Sequence, residues 1–566
     1  MKRSNGSLGA AAVALALTAG VSATTTAQRA KTPPISPAPL AVEIADYARL
    51  PITGVPDGTG NNAGSLARIN VMRQEPLPSG RFFVNDLTGP LYILDPGTKA
   101  ASLYLDFNGR EARTGLFDKL TTEAGLASGL ISFEFDPDYG RNGRFYTIHL
   151  EERALPGSLV PEKQGIPGLD VSGYSPTAPV TTPGPVDHDG VLIEWTDTNI
   201  ANTTFEGRAR ELLRIPLNSR IHPLGDMSFN PAARPGDRDW RLMYVACGDG
   251  GAGDSRAAFR LNGQRLDTLV GKILRIAPDL DSHVDDSSIS ANGRYRIPRD
   301  NPFRSSQEAR PEIWAYGLRN PHRLSWYVEA GTSYLIASMI GWRRWETVLL
   351  IHKGANYGFP FREGGELVEG DKTIPALPEP DAVPIQVNDT TTAGTVRPAY
   401  PVVRYGHGQD GGDAIAGGFV YAGKRIPQLS GKFVFGDIST GRLWWTDFKE
   451  MRAADDGVAG TMAAPHELQL WWDDPNDSPD RGKQLYPTMW PIVMAGYRAR
   501  GGKDPDLPGT GAVSGSGRVD LRLAVDRSGE LYLLSKSDGV IRAVIGASAA
   551  PDTFKQAARP EQYRIP

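Results

Sequence analysis

The sequence predicts an all-β fold, a six-bladed β-propeller with long loop insertions on one face. Three observations carry this prediction. Strand-like apolar segments come in pairs joined by turns. An Asp followed by a Gly recurs between the two members of several pairs. No amphipathic helix of useful length separates the pairs. Glycine (64) and proline (45) are both abundant, as many short strands joined by turns require. A small sheet of this kind exposes both faces when alone. Packing such sheets radially buries those faces and leaves only short edges.

The pairs follow one another along the chain. Residues 81–95 read as a strand, a turn holding Asp86 and Gly89, and a second strand. The same outline returns at 432–447, with Asp437 and Gly441, and at 530–544, with Asp538 and Gly539. Three looser copies carry longer insertions: 144–150 with 190–197, 241–247 with 271–276, and 333–337 with 345–351. That makes six units. The insertions at 156–185, 363–398 and 448–517 are the segments expected to shape a ligand-binding face.

The N-terminus is basic, then apolar from Leu8 to Val21, then small and polar up to Ala27, which is the pattern of a secretory signal. The expected organisation is a signal peptide at 1–27, a flexible leader at 28–42, the propeller at 43–548 and a tail at 549–566. The expected location is the periplasm or the cell exterior. The formal net charge is −4, which gives no general affinity for nucleic acid or anionic membranes. No membrane span is expected in the mature chain. The single cysteine, Cys247, excludes an intrachain disulfide and a cysteine-based metal cluster. Its apolar setting points to a buried structural role.

Chemistry concentrates around two motifs. A short strand after His222 and an apolar strand ending at Asp249 are separated by turn residues. If they pair antiparallel, His222 and Asp249 meet at one edge. A carboxylate against one imidazole nitrogen fixes the tautomer and raises basicity at the other. The alternative is a loop histidine beside a turn aspartate. The second motif is Gly317-Leu-Arg319-Asn320-Pro321. Asn320 is pushed extended by the proline after it, so Arg319 projects from a rigid turn. Its alternative role is to tie down a neighbouring loop.

These residues, with 129–139, Gly248 to Gly251, 271–276, 353–360 and 417–421, occur in the order found in one family. The chain resembles the soluble glucose/sorbosone dehydrogenases that depend on pyrroloquinoline quinone (PQQ), over roughly 65–545. The resemblance implies oxidation of an aldose sugar or related alcohol, with electrons passed to an external acceptor. It implies His222 as the base, Asp249 as its orienter, and Arg319 and Asn320 as contacts to the quinone. It also implies a calcium ion held partly by backbone carbonyls at 340–342, with Gly341 at the centre. Four positions depart from the pattern: Ala127, Ile221, Ala422 (with Lys424 close by) and Met339. Arg518 and Arg522 are the candidates for a late arginine pair, and Arg343 and Arg344 add charge near 341. Trp342, Trp345, Trp444 and Trp445 are candidate sugar-stacking residues, and His322 and His407 fall in candidate face loops without an assigned partner. Two other functions are compatible with the fold: a non-catalytic binding module, and a calcium-dependent lactonase-type hydrolase.

Overall fold

The computed structural model describes residues 36–56, 64–110, 113–123, 128–162, 164–251, 257–408, 411–478, 480, 482–511 and 515–550. Nearly all regular structure is β. The first sheet comprises β2 (Ile69–Gln74), β3 (Phe82–Asp86), β4 (Pro90–Leu94) and β5 (Ala101–Asp106). The second comprises β6 (Leu130–Phe135), β7 (Arg144–Glu152), β8 (His188–Asp197) and β9 (Gly207–Leu217), with a two-residue strand added at its edge. The third holds β10 (Leu224–Phe229), β11 (Met243–Cys247), β12 (Lys272–Ile276) and β13 (Ile313–Tyr316). The fourth holds β14 (Asn320–Glu329), β15 (Thr332–Ile340), β16 (Trp345–Leu350) and β17 (Val403–Gly406).

The fifth run is β18 (Ile415–Val420), β19 (Lys432–Asp437), β20 (Leu443–Asp447) and β21 (His466–Trp472). The last is β22 (Leu521–Val525), β23 (Leu531–Ser535) and β24 (Val540–Ala549), completed by β1 (Ser36–Arg49) from the other end of the chain. β1 lies antiparallel to β24 and parallel to β21, so it fuses the fifth and sixth runs and fastens the two chain ends together. This corrects the leader expected at 28–42. Its residues from Ser36 belong to β1, where Ala41 and Val42 are both buried and Val42 packs into the core between the last two runs. Residues 1–27 lie outside the described residues, as does the tail beyond Ala550.

All six strand pairs read from the sequence form as antiparallel neighbours, as the second and third strands of the six runs. The first strands β2, β6, β10, β14, β18 and β22 touch one another in sequence, and β22 closes on β2. Period-two alternation then sends side chains to the two neighbouring sheets. Along β11, Tyr244 and Ala246 enter the core shared with the fourth sheet, while Met243, Val245 and Cys247 enter the core shared with the second. Similar apolar layers fill the other interfaces: Phe83 against Phe133, Val348 against Phe435, Val434 against Leu533, and Leu534 against Val84.

Five of the six first strands carry a register shift near their start, for example between Leu224 and Asp226 and between Pro321 and Arg323. Such bulges re-aim a side chain. Gly225 sits in one of them, and a Cβ there would come within 2.9 Å of the His322 Cα on the next first strand. Polar side chains cross-link the axis. Asp226 accepts from Arg73 Nη2 (2.8 Å), Ser132 Oγ (2.7 Å) and Leu324 N (3.1 Å), tying together four first strands.

The sequence places the insertions on one face, but they do not all share one end. Strand direction alternates, so 156–185, joining second and third strands, leaves from the end where first strands begin. Residues 448–465, joining β20 to β21, leave from the other. Phe448 N accordingly bonds Gly431 O at that other end. Among the described residues, no helix is long and apolar enough to cross a membrane.

Candidate functional site

The end of the ring where first strands begin gathers most of the chemistry. His222 lies just before β10 and Asp249 just after β11, and the antiparallel pairing of these strands brings the two together. His222 Nδ1 and Asp249 Oδ1 are 2.7 Å apart. His222 adopts a left-handed backbone (φ 50°), rare for a non-glycine residue. The turn holds it there. Gly250 N donates to His222 O (3.0 Å), Gly248 N donates to Pro223 O (3.0 Å), and a Cβ on Gly248 would collide with the His222 carbonyl.

Asp249 is fully buried, and its Oδ1 also accepts from Gly251 N (2.9 Å). Burial works against its charge. The neighbouring His222, and then Arg319, outweigh that and hold the carboxyl below the usual carboxylate range. Arg319 arrives from the next sheet, immediately before β14. Its carbonyl accepts from Asp249 N (2.7 Å), which locks the two turns together. Asn320, the first residue of β14, is buried beside it.

The Arg319 guanidinium faces the loop after β15. Nη1 donates to Ile340 O (3.3 Å) and, more closely, to Gly341 O. These are the carbonyls expected to hold calcium. Nearby carboxylates are committed to N–H donors. Glu346 accepts from Gly341 N (3.0 Å), His407 (2.7 Å) and Ile415 N (2.8 Å). Glu363 Oε1 accepts from the N–H groups of Trp342 (2.8 Å), Arg343 (2.7 Å) and Arg344 (2.9 Å). Calcium takes six to eight oxygens. Two carbonyls already paired with a guanidinium, beside two carboxylates already occupied by N–H donors, do not fit it. No cluster of three or more metal-ligating side chains occurs among the described residues.

A PQQ molecule needs positive partners for its carboxylates, and here the residues fit. The sixth and first runs bring Arg68, Arg518, Arg522 and Lys536 to the same end of the ring. Ala67 N donates to Lys536 O (3.2 Å), and Lys536 N donates to Asp520 O (3.3 Å). Arg518 pairs with Asp520 at 2.9 Å, and Arg522 Nε donates to Asn70 Oδ1 (2.9 Å). The Asp520 carboxyl is buried, which resists its charge, but Arg518, Lys536 and Arg522 bring it down to about 2. Sequence reasoning found Arg518 and Arg522 but missed Arg68 and Lys536. The available signal was position: Lys536 follows a second strand as Asp249 does.

Other expectations sort differently. Ala422 follows β18, at the opposite end from His222, where the Gly529 turn packs on it. Lys424 N there donates to Glu530 (3.0 Å), so neither residue replaces the other at the site. Met339 is buried in the apolar layer between the third and fourth sheets. Ile221 packs on Gly251, since a Cβ there would meet its side chain. Ala127 lies outside the described residues. His407 pairs with Glu346. Burial disfavours the charged imidazole, but that carboxylate raises it above its ordinary value. His322 is buried on a first strand facing the axis, not in a loop, and its Nε2 has no hydrogen-bond partner. Trp342 lies between the guanidinium groups of Arg260 (4.3 Å) and Arg343 (4.7 Å), while Trp444 is core. Trp345 is buried under Arg404 (4.1 Å), and Trp445 stacks on His466 (4.4 Å).

Fold and site together define an all-β ring with a histidine–carboxylate pair and an arginine converging at one end. Residues 235–460 match the family described as glucose/sorbosone dehydrogenase. It is 28% identical to the HIPL1 protein of Arabidopsis thaliana over 386 residues, covering 66% of this chain and 51% of that protein. It is 26% identical to the Hedgehog-interacting protein of Mus musculus over 251 residues, covering 43% and 28%. It is 28% identical to the aldose sugar dehydrogenase YliI of Escherichia coli over 179 residues, covering 32% and 39%. The chain thus spans about half, or less, of the length of these relatives.

Proposed function

We propose that the chain is a secreted or periplasmic six-bladed propeller that oxidises an aldose sugar or related alcohol with PQQ. The observation that carries this reading is the convergence of His222, Asp249 and Arg319 from two sheets on one end of the ring. His222 holds Nδ1 against Asp249, which leaves Nε2 as the nitrogen that removes the hydroxyl proton. Asp249 keeps that tautomer and stabilises the imidazolium as it forms. Arg319, fixed by the loop carbonyls, places positive charge where negative charge develops on oxygen. PQQ, when bound, supplies the two-electron acceptor, with the four cations of the first and sixth runs available to its carboxylates. The electrons then pass to an external acceptor. No step is assigned to calcium.

The test is reconstitution of the purified chain with PQQ, followed by the quinone's absorbance and by dye reduction with a panel of aldoses. Binding retained in His222→Ala with turnover lost supports the assignment. Absence of quinone binding by the wild type at micromolar concentration overturns it. A second reading, a non-catalytic binding module, is favoured by the likeness to Hedgehog-interacting protein and predicts that absence. The calcium-dependent lactonase alternative predicts calcium-dependent opening of a lactone without any quinone.

A further inference from the structure

The end of the ring opposite His222 holds a cavity of about 350 Å³ between the second and third sheets. There β7 begins, and β8 and β12 end. Strand register builds one wall. Thr196 lies between Arg144 and Arg208 in one cross-strand row, and Glu194 lies between Tyr146 and Arg210 in the next row on the same face. Tyr146 belongs to the apolar core shared with the third sheet, so this face turns towards that sheet. Asp279 and Asp281, which follow β12, form the other wall. Arg208, Asp170 and Asp281 are exposed at the rim, while Glu194 is buried at the floor. Two of the cations are already held in place. Arg144 Nη1 pairs with Asp279 Oδ2 (2.7 Å), which Arg241 Nη1 also reaches (2.7 Å). Arg210 donates through Nε (3.1 Å) and Nη2 (3.0 Å) to Glu194 Oε1, and Nη2 also donates to Pro278 O (2.9 Å). Glu194 Oε2 is left over: it is buried and has no hydrogen-bond partner among the described residues. A buried carboxylate oxygen without a donor is costly, and folds rarely leave one. Burial raises the Glu194 carboxyl above its ordinary value, although Arg210 and Arg144 oppose this.

We infer that this cavity binds a neutral saccharide, with one hydroxyl donating to Glu194 and others accepting from the arginines. The charges select that class. Three guanidinium groups and four carboxylates line the cavity, so a simple anion or cation meets repulsion along with attraction. The carboxylates do not form a metal-holding group among the described residues. No aromatic ring lines the cavity among the described residues, so a flat aromatic ligand has nothing to stack on. A hydroxyl both donates and accepts, and neighbouring hydroxyls on a sugar ring therefore match interleaved carboxylates and guanidinium groups. The volume falls in the range of small-molecule sites. This site lies at the other end of the ring from His222, and the inference does not rest on the quinone reading.

The experiment uses the full chain, without quinone or added metal. Ligand-observed NMR titration measures binding of glucose, xylose, maltose and cellobiose, with sulfate as the anionic control. Wild type, Glu194→Gln, Arg208→Ala and His222→Ala are compared. Binding of a neutral sugar by wild type and His222→Ala, weakened about fivefold or more in Glu194→Gln, supports the inference. Binding lost in His222→Ala but kept in Glu194→Gln places the sugar at the other end of the ring and overturns it. Equal affinity of wild type and Glu194→Gln overturns it, as does the absence of binding by wild type for all of these sugars. Displacement of the sugar by an equal concentration of sulfate marks an anion site and also overturns it. Arg208 is exposed, so Arg208→Ala carries the same comparison if Glu194→Gln fails to fold.

Discussion

Asp249→Asn is the sharpest perturbation of the proposed site, because it changes charge and hardly changes shape. The carboxamide oxygen can still accept from His222 and from Gly251 N, now at 2.7 and 2.9 Å. Two things are lost. The charge opposite a forming imidazolium disappears, so a charge-assisted bond worth about 1.5–3 kcal/mol becomes a neutral one worth about 0.5–1.5 kcal/mol. The difference, ~1–2 kcal/mol, slows proton abstraction about 5- to 30-fold at 1.4 kcal/mol per decade. The new NH2 group also takes the place of Oδ2, which is buried with no hydrogen-bond partner. An unsatisfied buried donor there costs about 1–3 kcal/mol of stability. Swapping the amide relieves that cost only by turning a donor towards His222 Nδ1, which forces the wrong tautomer. The loss in kcat then grows towards ~10²–10⁴-fold. Steady-state dye reduction with reconstituted protein gives kcat, and nitrogen NMR of His222 reports the tautomer. A variant that folds, keeps the wild-type tautomer and retains kcat within a factor of about two refutes the argument.

The remaining predictions concern the frame around the site. Glu134 faces Arg73 at 2.9 Å and, with burial as the main cause, its carboxyl is raised to about 7. A raised carboxyl favours folding below the unfolded value near 4.5 and loses that contribution as pH rises through 7. Glu134→Gln is therefore expected to gain on wild type by ~3 kcal/mol between pH 4.5 and 8 in urea denaturation, and a gap independent of pH counts against this. Cys247 is buried and its thiol is pushed up to about 12 by burial, so it should resist a thiol reagent at pH 8 until the chain unfolds; prompt native-state labelling contradicts the buried setting. Gly225→Ala puts a methyl 2.9 Å from the His322 backbone, where neither first strand can give way. A loss of ~1–3 kcal/mol is expected, and an unchanged thermal midpoint is the contrary result.

The sequence was most legible where local rules and tertiary structure agree. Each second and third strand is an apolar run joined by short-range turn chemistry or by one simple insertion, so all six pairs could be read directly. First strands were harder. Several are short, bulged and partly polar, as in Asn70, Asp226 and Arg323, because they line an axis instead of a core. Their periodicity is broken where their function lies. The strand β1 was read as leader because its pairing partners lie more than 400 residues away, which no local pattern reveals.

The same distinction separates the two halves of the site. His222 and Asp249 are joined by one hairpin, so their meeting is a consequence of strand pairing that spacing can anticipate. Lys536 and Arg68 meet only when the ring closes, since one belongs to the last run and the other to the first. Strand alternation explains why Ala422 misled. Its motif sits at the correct place in the chain order but on a connection after a first strand, and strand alternation sends it to the far end. A motif position therefore acquires meaning only with its place in the strand cycle. Turns before a first strand and after a second strand share one end with His222. Applied to all six runs, that rule selects Arg68, His222, Asp249, Arg319, Arg518 and Lys536 together, and it excludes Ala422 and Lys424.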